Sequence, residues 1–196
     1  FGSAEKLLRI RAANGMIARR YPGYDADVQK FIATDPLATP RLALAVALAG
    51  QRKGRLAVFI AHSLGGGAET ALMREVAALG AAVILRVGGP KRWQVEVHVD
   101  GQCTAGQADD LELVHHILAP VAALDLIYSC GVGDVDPVTL PGLIKSLCRP
   151  GCDDQIATRI HDYFPLSPSY TLLGSDGFEG VPGCDCSDPA HMTQRP

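Results

Sequence analysis

The hydrophobic pattern changes character near residue 55. From Arg55 onward the chain carries nearly continuous apolar runs at Leu56 to Ala61, Ala82 to Val87 and Leu124 to Cys130. Runs without polar alternation suit strands covered on both faces, as in the middle of a parallel sheet. Between the first two runs, Ala71, Leu72, Val76 and Leu79 recur at helical spacing, and Gly80 stands where a helix cap belongs. Strand, helix and strand predict a right-handed βαβ unit. Trp93 to Val99 alternates apolar and polar residues, the pattern of a half-exposed strand with Trp93 packed on the core, and Asp100-Gly101 ends it in a hairpin turn. Asp109 and Glu112 form a capping pair for a helix that runs through Leu111, Val114, His115 and Leu118 to Pro120, with His115 and His116 as ordinary helix residues. Leu143, Ile144 and Leu147 predict another helix, and Gln155 to Ile160 reads as the last core strand. From Leu166 the residues are those of an irregular loop.

Before residue 55 the pattern is helical. Ala4 to Arg20 and Asp25 to Ala33 are helix formers separated by Pro22-Gly23, and Pro36 and Pro40 precede an alanine- and leucine-rich piece from Arg41 to Ala49. Residues 1–54 are therefore expected to be a helical extension or linker, and 55–196 an α/β domain with an open, mostly parallel, Rossmann-like sheet carrying helices on both faces. The chain starts at Phe1 rather than methionine, which suggests a segment of a longer protein.

Composition narrows the partners. A net charge of -3 and 6% aromatic residues supply neither a basic field nor stacking platforms, so nucleic acid is not expected. The apolar run from Leu42 to Gly50 is far shorter than the roughly 18 residues of a membrane span. Six scattered cysteines fit a reducing cytosol better than a disulfide framework. Cys184 and Cys186 with His191, joined by Cys148 or Cys152, offer zinc-ligating residue types, but their spacing is not that of a structural zinc site, and no metal or cofactor is expected.

The candidate chemistry lies after two strands. His62-Ser63-Leu64-Gly65-Gly66-Gly67-Ala68-Glu69-Thr70 is a glycine loop entering a helix, where unshielded backbone N–H groups and the helix dipole favour a phosphate or another anion. His161-Asp162-Tyr163-Phe164-Pro165 follows the last core strand, and ligands of open α/β sheets bind at the carboxyl ends of strands. The two segments are thus expected on one rim.

These two segments, the second continued by Leu166-Ser167-Pro168, Tyr170-Thr171-Leu172-Leu173 and Asp176-Gly177, resemble motifs of the N-terminal, acceptor-side half of bacterial GT-B glycosyltransferases. The resemblance spans about Arg55 to Gly183. It departs from the family pattern at Ser167-Pro168, at Glu179-Gly180-Val181-Pro182 and at Tyr128 to Val132, where relatives often carry cysteines or histidines. The resemblance implies a retaining, metal-independent transferase of two Rossmann-like halves, with a nucleotide-sugar donor, a glycan or lipid-linked acceptor, and a donor-binding C-terminal half absent from this chain. It further implies synthesis of cell-surface polysaccharide or another glycoconjugate, in the cytoplasm or at the inner face of the membrane. By the same likeness His161 and Asp162 are the catalytic candidates, and Ser63, Gly65, Gly66, Gly67, Glu69 and Tyr163 the substrate-binding ones.

Other classes compete. Ala61-His62-Ser63-Leu64-Gly65 approximates a nucleophile elbow, with Asp134 or Asp136 and His161 following in the order of an α/β-hydrolase triad, although the first glycine and an upstream oxyanion segment are missing. A dinucleotide fingerprint fits less well, because Gly65-Gly66-Gly67 has the wrong spacing and the second strand ends at Arg86-Val87 without a carboxylate. A non-catalytic binding module on the same fold is the third alternative.

Overall fold

The structure is a computed structural model and describes residues 2–108, 110–163, 173–174 and 177–178. The chain divides into two compact units, Phe1–Leu37 and Ala38–Pro196. The first holds helices α1 (Ser3–Arg20) and α2 (Tyr24–Thr34), neither of which has a buried residue. No single helix among the described residues is long and apolar enough to cross a membrane.

In the second unit the elements run α3 (Ala38–Lys53), β1 (Arg55–His62), α4 (Gly66–Leu79), β2 (Ala81–Val87), β3 (Trp93–Val99), β4 (Gln102–Ala108), α5 (Leu111–Leu118), β5 (Ala123–Tyr128), a 3-10 turn (Pro137–Thr139), α6 (Leu140–Ser146) and β6 (Gln155–Thr158). The six strands form one sheet in the order β4-β3-β2-β1-β5-β6. Pairings β2 with β1, β1 with β5 and β5 with β6 are parallel, and the β3–β4 hairpin adds two antiparallel pairings at one edge. This is the expected Rossmann-like α/β architecture. Separately, β7 (Leu173–Gly174) and β8 (Gly177–Phe178) pair antiparallel.

Side chains leave a strand alternately to its two faces, and β1 divides accordingly. Leu56, Val58 and Ile60 enter one core with α3, α5 and α6, while Ala57, Phe59 and Ala61 enter a second core with Leu72 and Val76 of α4. Helices therefore cover both faces. Gly80 closes α4 in the left-handed conformation (φ 71°), its N–H bonding Val76 O, as the sequence predicts.

Three expectations change. The compact unit begins at Ala38 rather than residue 55, because Leu42, Val46, Ala49 and Gly50 of α3 recur on one helical face and are buried against the sheet. The helix expected from Asp109 is capped by Asp110, whose Oδ1 accepts from Leu113 N at 2.9 Å; Asp109 lies outside the described residues. The last core strand is instead a four-residue strand, paired among the described residues only with β5, and its Ile156 is 47% exposed. Strand β4 lacks an apolar pattern of its own. Its Gly106 lies under α3, where a Cβ would approach Leu42 Cδ1 to 2.6 Å and require that side chain to shift.

At the amino edge of the parallel strands, Arg149 locks the α6–β6 connection onto β5. Its Nη2 and Nε bond Asp154 at 2.7 and 2.9 Å and its Nη1 bonds Val121 O at 2.6 Å, while Asp154 also accepts from Leu124 N at 2.8 Å. The Arg149 hydrogen bonds hold the Asp154 carboxyl down to about 2. A pKa depressed on folding contributes stability above the unfolded value of about 3.9 that is lost as pH falls toward the folded value. Urea unfolding is expected to show a loss of about 2 kcal/mol between roughly pH 4 and pH 2 in the wild type that is missing in Asp154→Asn.

Candidate functional site

The strand order reverses at β1. The chain leaves β1 through α4 to β2 on one side, and returns through α5 to β5 on the other. In such sheets a crevice opens at the carboxyl ends of the strands flanking the reversal. Here the segments at that position, which would be its walls, are the β1–α4 loop, the segment after β5 and the segment after β6.

The β1–α4 loop leaves the sheet at His62, which is buried and whose Nδ1 accepts from Leu64 N at 2.9 Å. The ring proton of the neutral imidazole therefore sits on Nε2. Burial lowers the His62 pKa, outweighing the Glu69 carboxylate that favours the charged ring, and the Arg86 charge adds to the lowering. Gly65 and Gly66 then take φ of 79° and 87°, and an added Cβ at Gly65, Gly66 or Gly67 would meet nothing within 4 Å. The positive φ demands glycine. Among the described residues nothing covers the start of α4, whose cap residue has no side chain to shield the first-turn N–H groups. Ser63, Leu64 and all three glycines are exposed.

Glu69, in the first turn of α4, takes a bidentate contact from buried Arg86 of β2, with Nη2 to Oε1 at 2.8 Å and Nη1 on Oε2. Arg86 Nη1 also donates to His62 O at 2.8 Å, so one guanidinium ties the helix start to the end of β1. Glu69 thus braces the loop. A charged residue inside the run Ala82 to Val87 is the sequence signal that could have revealed this partnership, since a buried arginine needs a carboxylate.

The other two walls are joined by Asp162. Its carboxylate is 2% exposed and accepts from Tyr128 Oη at 2.8 Å and Gly131 N at 2.8 Å. Burial, then the neighbouring carboxylate, raises the Tyr128 pKa, and burial pushes the Cys130 thiol up to about 12. Asp162 thereby fixes the segment that presents His161 and Tyr163, both exposed. The Asp162 charge favours protonation of His62 and the His161 charge opposes it. Ser129 N and Cys130 N both donate to Ile60 O, at 2.9 and 3.2 Å, closing the second wall on β1.

The sequence reading omitted a further clamp. Asp134 is fully buried, accepting from Arg92 Nη2 at 2.9 Å and from Asp136 N at 2.8 Å, while Arg92 also donates to Thr139 Oγ1 at 3.0 Å. The clamp draws the β2–β3 turn against the segment after β5. There Gly88 (φ 84°) lies so near Gly133 that a Cβ would come within 2.9 Å of Gly133 O. Some glycines of this edge are thus filled by backbone, and those of the β1–α4 loop are open.

Gly65, Gly66, Gly67, Ser63, Glu69, His161, Asp162 and Tyr163 accordingly share the carboxyl edge of the sheet. Phe164 to Leu172, Asp176, the segment from Glu179 to Pro182, Cys184, Cys186 and His191 lie outside the described residues. Removing the brace tests this account of the edge. Arg86→Leu leaves Glu69 and Glu96 without their shared counter-charge and is expected to cost about 3 kcal/mol, against about 1–2 kcal/mol for Glu69→Gln, read from denaturant midpoints.

Compared with known proteins, the chain matches no protein-family model, no curated protein and no solved structure.

Proposed function

We propose that this chain is the acceptor-side domain of a retaining, metal-independent glycosyltransferase that uses a nucleotide-sugar donor to build a cell-surface polysaccharide or another glycoconjugate. The observation that carries the proposal is the pairing, on one rim, of a glycine loop at a helix start, uncovered among the described residues, with an exposed histidine next in sequence to the buried aspartate that anchors its segment. The motif resemblance at both segments supports the same reading.

Retaining transfer with departure of a nucleoside diphosphate requires stabilisation of developing phosphate charge beside an incoming hydroxyl. The N-terminus of α4 offers backbone N–H groups and a dipole contribution of about 0.3–1 kcal/mol, up to about 2 when partly buried. His161 donates or accepts a hydrogen bond to the donor sugar or the acceptor. Asp162, engaged by Tyr128 and Gly131, is a positioning residue for His161 rather than a proton carrier. Ser63 and Tyr163 are exposed polar groups at the same rim, available to acceptor hydroxyls. The donor-binding half belongs to this proposal as the partner that completes the crevice.

A serine hydrolase draws less support. Asp134, one of its two candidate acids, is fully buried and paired with Arg92, and among the described residues no hydrogen bond joins Ser63 to a histidine. The proposal predicts that, in the enzyme assembled with its donor-binding half, His161→Ala lowers sugar transfer at least about 100-fold, the loss expected for one positioned catalytic group, with an unchanged circular dichroism spectrum. Undiminished transfer by His161→Ala, or labelling of Ser63 in the folded chain by a fluorophosphonate probe, overturns it.

A further inference from the structure

Away from the carboxyl edge, the β3–β4 hairpin carries a second cluster on the face it shares with α4. Glu96 and His98 are two residues apart on β3 and therefore point to one face. Cys103 of β4 stands directly opposite His98 in the antiparallel register. Glu96 Oε2 lies 3.1 Å from His98 Nε2, Cys103 Sγ lies 3.7 Å from the same nitrogen, and the ligand atoms of all three lie within 4.8 Å of one another. Bond lengths of 2.0–2.3 Å place the ligand atoms of a tetrahedral zinc site about 3.3–3.7 Å apart, so the cluster is close to chelating geometry as it stands.

We propose that Glu96, His98 and Cys103 form a binding site for one divalent cation of borderline softness, of the zinc class. Carboxylate, imidazole and thiolate are a donor set that zinc accepts and magnesium or calcium does not. The surroundings favour a double positive charge. With His98 neutral and Cys103 ionised on binding, the Glu69 and Glu96 carboxylates and the thiolate outweigh Arg86 by two negative charges. Arg86 also holds Glu96 loosely, at 3.2 and 3.3 Å, and Glu69 more closely, so Glu96 can turn to the cation while Arg86 keeps a partner. His98 and Cys103 line a groove of about 440 Å³ together with Met73, Val76, Gly80 and Asp100, which leaves the fourth position to water or a small ligand. The site is independent of the transfer chemistry proposed above, and its cation takes no part in that step.

Cobalt(II) is the probe. With the chain reduced, Co²⁺ titration is expected to give a one-to-one complex with a thiolate-to-cobalt charge-transfer band, bleached by added Zn²⁺. The exposed Cys103 allows a mild first variant, Cys103→Ser, which is expected to abolish that band. His98→Ala is expected to weaken binding at least about tenfold, the lower bound for disturbing a metal site, with circular dichroism confirming the fold of both variants. Absence of the band in the wild type overturns the proposal. So does a band that survives Cys103→Ser, which would assign the sulfur ligand to another cysteine.

Discussion

Strand β1 meets water along neither its edges nor its faces. It is hydrogen-bonded in parallel to β2 on one side and β5 on the other, and its residues from Leu56 to Ile60 are buried between α4 and the α3–α5–α6 layer. Such a strand cannot carry polar chemistry along its length, because an uncompensated polar group there loses its hydrogen bonds to water. The polar groups of this region are therefore displaced to its ends. At the amino end they serve cohesion, through Arg149 and Asp154; at the carboxyl end they shape a crevice.

That crevice owes its form to buried charged groups that fix backbone. Asp162 holds the segment after β6 to the segment after β5, Asp134 with Arg92 holds the latter to the β2–β3 turn, and Arg86 with Glu69 holds the start of α4 to the end of β1. Each joins pieces distant in sequence, and each leaves its neighbours free to face solvent. His161, Ser63 and the three glycines are the exposed remainder.

Arg86 also connects the two polar regions of the α4 face. One side of its guanidinium braces the glycine loop through Glu69, and the other reaches Glu96, whose hydrogen bonds from His98 and Arg86 outweigh burial and keep its carboxyl below the ordinary value. A cation held by Glu96, His98 and Cys103 would leave Glu69 as the principal partner of Arg86. The hairpin and the rim are thus linked by one buried arginine without sharing a site.

The sequence by itself determined the elements whose burial is locally written. Nearly continuous apolar runs marked β1, β2 and β5, strict alternation marked β3, and Gly80 marked the end of α4, because side-chain periodicity and positive φ are properties of short segments. It also located the glycine loop and His161 at strand ends, where α/β sheets present ligands. Only the tertiary structure decided what depends on neighbours remote in the chain. The alanine-rich α3 joined the core because Leu42 found room over Gly106 of β4, and β4 itself, with no apolar pattern, became a strand by pairing with β3. Likewise the side-chain partners that Arg86, Asp134 and Asp162 bond across the fold, Glu96 and Glu69, Arg92 and Tyr128, lie 10 to 42 residues away, and no spacing rule reaches that far. A buried charge in a sequence states that a partner is required, and the fold alone selects which one.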